Sequence, residues 1–131
     1  EFAKRIGLAA AGMVGFRHGE EVLSFNRSSD HPIIRNFDTL ALHDETYWKM
    51  VGALAPHGVL ATAVEEGEPR PQLWVAEPAN GRVFVSIPGH FSWTFDDPLF
   101  RVLLLRGIAW AAKEPVDRFN DLVLPGANVA K

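Results

Sequence analysis

An α/β fold is the expectation for this chain of 131 residues, and it rests on three features of one stretch. Val83, Val85 and Ile87 alternate with Arg82, Phe84 and Ser86, the period-two pattern and β-branched content of a strand covered on both faces. Pro88-Gly89 then stops it: proline cannot donate to a ladder and glycine takes backbone angles closed to other residues, so His90 is presented on a turn at the strand's C-terminal end. An apolar helix follows, with Asp97 as its N-cap, Pro98 in the first turn and Lys113-Glu114-Pro115 closing it, which predicts a span from Pro98 to Ala112. Phe100, Leu104, Gly107, Ile108 and Ala111 recur at spacings of three and four, and Val102, Leu103, Leu105 and Trp110 widen the apolar surface. Such a helix packs on a sheet and is covered on a second side.

The remaining elements follow in order. Phe2, Ile6, Ala9, Ala10 and Met13 predict a short helix over Phe2 to Val14, weakened by Gly7 and Gly12, each costing about 1 kcal/mol against alanine. Phe16-Arg17-His18-Gly19 reads as a loop, Glu21 to Asn26 as a strand, and Asn26 to Asp30 as a turn. Asp30-His31-Pro32 sets up a short helical turn, anchored by Ile33, Ile34 and Phe37. Thr39 to Tyr47 is a strand running into a loop, with Leu40, Leu42 and Asp44 on one face and Ala41, His43 and Glu45 on the other. Trp48 to Val51 starts a loop or one helical turn. Strands at Gly58 to Glu65 and Gln72 to Glu77 flank a polar turn, and Pro78 to Gly81 joins the second of them to Val83 in an antiparallel hairpin. Val116 to Leu122 reads as a last short helix.

Composition excludes several classes. With 47% hydrophobic and 22% charged residues the chain is an ordinary globular one, able to form a core. Its net charge of −3 and dispersed cations leave no basic stripe for nucleic acid. The absence of cysteine rules out disulfides, Cys-ligated zinc and a thiol nucleophile within it. No apolar run reaches membrane-spanning length and no cleaved-signal pattern is visible, so a soluble chain without a membrane partner is expected, its compartment unspecified.

Five histidines carry most of the candidate chemistry. His90, on the Gly89 turn, suits a general base or a donor to a sugar hydroxyl; the competing reading is a ring that hydrogen-bonds its own turn. Glu45 and Tyr47 follow a strand and can orient a polyol, though Tyr47-Trp48 also reads as an aromatic plug. His18 and His31, beside Gly19 and Pro32, suit turn caps. Trp93, between Phe91 and Phe95, offers either core packing or a platform for a sugar ring. No metal is expected; divalent zinc on His18, His31 and His90 is the alternative, which spacing alone does not establish. Asp96-Asp97 is explained by the helix N-terminus.

Five ordered blocks carry a family resemblance. They are Phe16-Arg17-His18-Gly19; Asp30-His31-Pro32-Ile33; His43-Asp44-Glu45-Thr46-Tyr47; Leu73-Trp74-Val75 with Asn80-Gly81-Arg82-Val83-Phe84; and Pro88-Gly89-His90 with Gly107-Ile108-Ala109-Trp110-Ala111. Together they resemble the C-terminal half of trehalose-utilisation (ThuA-like) domains. The resemblance implies a flavodoxin-like, class I glutamine-amidotransferase-like layered sheet, here a mixed sheet with an antiparallel hairpin. It also implies that residues 1–131 form a single ThuA-like domain lacking its N-terminal βα units. The implied role is in carbohydrate metabolism, acting on or binding a sugar or keto glycoside at strand C-terminal ends. His90 and Glu45 would be the catalytic pair, and Tyr47, His31, His18 and Trp93 the substrate-binding set. Whether that role is enzymatic is left open. A non-catalytic sugar-binding or protein-interaction domain, or an inactive fragment, is the alternative. A missing layer would expose apolar surface, so self-association or a covering partner chain is expected.

Overall fold

The computed structural model describes residues 1–124. In chain order the elements are α1 (Phe2–Ile6), β1 (Leu8–Ala9), β2 (Gly15–Phe25), β3 (Thr39–Trp48), β4 (Val51–Gly52), β5 (Val59–Glu65), β6 (Glu68–Ala76), β7 (Val83–Ser86) and α2 (Pro98–Ala111), with short 3-10 turns between several of them. Five strands form one sheet in the order β3-β2-β5-β6-β7, while β1 and β4 pair separately. The α/β class holds. Among the described residues every strand pairing is antiparallel, so the sheet is not the mixed one expected.

The long hairpin β2–β3 is where the chain departs most from its reading as a loop and a short strand. Residues 16–19 lie inside an eleven-residue strand. Phe16, His18, Glu20, Val22 and Ser24 alternate outward against Leu23 and Phe25 inward, so the period is present. Its outward members are polar or isolated, and Gly15 and Gly19 punctuate it. Partner β3 completes the pattern, with Leu23 opposite Leu40, Gly19 opposite Asp44 and His18 opposite Glu45.

The predicted helix over residues 2–14 survives only as α1, because Gly7 takes φ 95° and a Cβ there would stand 2.3 Å from Leu54 Cδ2. Residues beyond it pair as β1 with β4. The β5–β6 hairpin turns on Glu66 and Gly67 alone, both with positive φ (54° and 78°), the twist-matched hairpin turn. β6 therefore begins at Glu68 and contains Pro69 and Pro71. Both are tolerated because β7 pairs only with Leu73 to Ala76, leaving one side of the first half of β6 open. The helix expected over Val116 to Leu122 is a run of turns ending in a 3-10 turn at Asn120–Val123.

Helix α2 keeps its predicted ends: Asp97 accepts from Leu99 N at 2.8 Å and Phe100 N at 2.9 Å. It lays Phe100, Leu103 and Trp110 onto a core shared with Leu23, Ile33, Leu60 and Leu73. Gly107 is required there, since a Cβ would meet the Phe84 ring at 2.3 Å. Buried Arg106 ties the helix to the 3-10 turn at Pro32–Ile34, donating to Arg35 O at 2.8 Å and to Asp117 at 3.0 Å. The sheet is curled: the Gln72 side-chain amide on β6 donates to Tyr47 O at 2.9 Å and accepts from Tyr47 N at 3.2 Å on edge strand β3. Among the described residues no helix is long and apolar enough to cross a membrane.

Candidate functional site

Alternation on β3 turns Glu45 to the side of the hairpin that carries His18, Glu20 and Phe16, most of it exposed. Glu45 is nevertheless only 3% exposed, because three rings close over it. His18 Nδ1 lies 2.7 Å from Oε1, and His90 Nδ1 lies 3.2 Å from Oε2. The Tyr47 hydroxyl donates to the same Oε2 at 2.5 Å. Each Nδ1 stands within ion-pair distance of a carboxylate oxygen, an arrangement that favours the proton on Nδ1 and leaves Nε2 as the acceptor position. The phenol O–H is held by the carboxylate, and with burial this raises the Tyr47 pKa above its ordinary value.

Aromatic rings continue on both sides of this carboxylate. Phe16 stacks on Tyr47 at 6.1 Å and meets His18 edge-on at 5.6 Å. On the other side Phe91 packs against the His90 ring at 4.6 Å and stacks on Trp93 at 4.3 Å and 11°. The indole of Trp93 is fixed by donating to His43 O at 2.8 Å and stays half exposed.

Four sequence candidates, His18, Glu45, Tyr47 and His90, thus meet in one place, and Trp93 borders it. His31 is not brought to them. It caps the 3-10 turn at Pro32–Ile34 by accepting from Ile33 N at 3.4 Å and packs against Trp110 at 5.1 Å, and burial lowers its pKa. Among the described residues no group of three His, Cys, Asp or Glu side chains is arranged to hold a metal ion.

Sequence reasoning missed Asp44, Phe91 and Phe16. Asp44, 1% exposed, accepts from Gly89 N at 3.0 Å, His90 N at 3.1 Å and the Thr94 hydroxyl. A charged residue aligned with Leu40 and Leu42 on the inward face of β3 was its signal. Behind it lies a second polar group. Arg17 Nη2 donates to Glu65 Oε1 at 2.6 Å and Thr46 donates to the same oxygen at 2.5 Å, and the Arg17 bond holds the Glu65 carboxyl below its usual range. Glu21, buried with no hydrogen-bond partner for either oxygen among the described residues, is pushed up to about 8, chiefly by burial and then by the Asp44 charge.

A mixed α/β chain whose β2–β3 hairpin and the turn after β7 bring together a histidine–carboxylate–tyrosine cluster is what fold and site define. Residues 9–111 match the ThuA (trehalose utilisation) family, and the chain belongs to that family. It is similar to a crystal structure described as a ThuA-like protein from Parabacteroides merdae, at 26% identity and a TM-score of 0.59, over 83% of this chain and 48% of that one. The chain therefore spans about half the length of that relative. No curated protein matches it.

Proposed function

We propose that this chain binds and acts on a sugar or keto glycoside at the Glu45 cluster, within the carbohydrate-utilisation role that its family suggests. The observation that carries the reading is the buried Glu45 carboxylate receiving His18, His90 and Tyr47. A carboxylate on Nδ1–H fixes each imidazole's tautomer and stabilises the imidazolium formed when Nε2 takes a proton. His90 is the general base of this reading, Glu45 its orienting partner, and His18 the second imidazole that contacts a hydroxyl. Phe91 and Trp93 supply the flat apolar surface on which a pyranose face rests.

The flavodoxin-like layering implied by the resemblance remains part of this proposal, with the antiparallel unit as one portion of a layered sheet. A non-catalytic sugar-binding role is the second reading, favoured by the half-exposed Trp93 beside, rather than within, the carboxylate cluster. Self-association belongs to the proposal as well. Phe2, Ile6, Met50, Trp74, Val85 and Ile87 help line an apolar groove of about 280 Å3 on the face of β6–β7 that carries Trp74.

Calorimetric titration with trehalose, 3-keto-trehalose and simple polyols, with and without zinc, on wild type and His90→Ala tests the site. Saturable binding that is lost in the variant supports it, and a zinc requirement adds a metal to it. No heat with any ligand from a folded sample removes the sugar reading. Self-association is read by light scattering; a monodisperse monomer that binds no hydrophobic dye overturns it.

A further inference from the structure

We infer that Asp44 is a positioning residue for this site: its buried carboxylate gathers the backbone N–H groups of Gly89 and His90 and the Thr94 hydroxyl, and so sets the His90 ring against Glu45. The inference rests on the reading above that Glu45 and His90 work together.

Strand β7 ends at Ser86, and the last ladder-like contact beyond it is Ile87 N donating to Gln72 O at 2.9 Å. Past that point the turn carrying His90 has left the sheet. Two successive amides there form a small anion-binding concavity, and what fills it is a side chain from the opposite edge strand of the sheet. Gly89 makes the concavity possible. It takes φ 135°, and a Cβ there would stand 3.1 Å from the Phe95 ring.

The geometry of β3 explains the effect on the site. Consecutive strand residues point to opposite sides, so Asp44 and Glu45 leave the backbone in opposite directions, yet both end on the same turn. Asp44 holds its main chain and Glu45 holds its imidazole. The Asp44 carboxylate also accepts from the backbone N–H of Glu45 itself at 2.7 Å, so one group fixes both members of the pair. A carboxylate suits this task because all four of its contacts are donors. The isosteric amide offers one accepting oxygen, and its NH2 would face donors.

The experiment needs no ligand: long-range proton–nitrogen spectra of the histidine rings in wild type and Asp44→Asn. In wild type His18 and His90 both show the Nδ1–H tautomer. In Asp44→Asn, His90 shifts to a mixture of tautomers while His18, held by β2, does not. A His90 tautomer unchanged in the folded variant overturns the inference, and so does an equal change at both rings. Wild type supplies a second reading should the variant not fold. The Gly89 and His90 amides exchange slowly with solvent although they lie on a turn, and exchange at free-peptide rates overturns the assignment. With 3-keto-trehalose as probe, Asp44→Asn weakens binding about tenfold or more; unchanged affinity counts against the positioning role. If wild type binds no sugar, the functional reading fails, and the tautomer and exchange results still decide the role of Asp44.

Discussion

The Tyr47 hydroxyl and the Glu45 carboxylate, two residues apart on one strand, share a hydrogen bond of 2.5 Å. Side chains at i and i+2 of a strand lie on the same face, so the pairing is local, and it makes Tyr47 a reporter on the buried carboxylate of the site.

Tyr47 is the chain's single tyrosine, so its ionisation is read without interference. Phenolate absorbance in wild type rises at a pH above the ordinary value of about 10, because the neutral phenol donates to Glu45. Glu45→Gln removes the charge and moves the transition down toward that value. A wild-type tyrosine titrating at the ordinary value contradicts the contact.

Glu21 gives a stability prediction with a defined sign. Its folded pKa, about 8, stands above that of an unfolded glutamate, so the folded state holds a proton the unfolded state has released. Stability is highest below the unfolded value and falls as pH rises toward 8, by roughly 1.4 kcal/mol per pH unit within that window from this group. Glu21→Gln flattens the dependence and raises stability at alkaline pH. Urea unfolding at several pH values measures it.

The Arg17–Glu65 pair acts in the opposite direction. The folded pKa of Glu65 is depressed, so its stabilisation is present above the unfolded glutamate value and is lost as pH falls through the folded one. Arg17→Met leaves Glu65, itself nearly inaccessible, without its cation and costs roughly 1–3 kcal/mol, limited because the arginine is partly in solvent. Acid unfolding then begins at higher pH in the variant than in wild type.

His31 separates structure from function. Its ring accepts from Ile33 N, and His31→Ala loses about 0.5–1 kcal/mol of stability while sugar titration is unchanged. Because burial lowers its pKa, wild-type stability from this group declines as pH falls below the unfolded histidine value, and the variant loses that decline. A large loss of binding in a stable His31→Ala protein would join His31 to the site.

Local signals in the sequence were sufficient for α2 and for the Pro88-Gly89-His90 turn, because a cap, a breaker and a positive-φ glycine act within a few residues. The spacing of His43 and Glu45 placed both on one face, the Pro88-Gly89 turn singled out His90, and the family blocks added a site role for His18. What stayed hidden was non-local. Strand character in residues 16–19 depends on pairing with Tyr47, Thr46, Glu45 and Asp44, and no window of sequence contains both sides. Asp44 likewise has three of its four partners 45 to 50 residues away, so its alignment with Leu40 and Leu42 signals burial but not which donors it gathers.

The clasp between Gln72 and the Tyr47 backbone has one more consequence. An outermost strand with open amides and carbonyls is a template on which another chain can add itself and grow a fibre. Here a primary amide, mimicking a peptide group, occupies one donor and one acceptor on β3, and the His90 turn lies along the same strand. Glutamine at position 72 thus occupies two backbone groups of β3 that an added strand would need, so the sheet is closed to lengthening at that point of its edge.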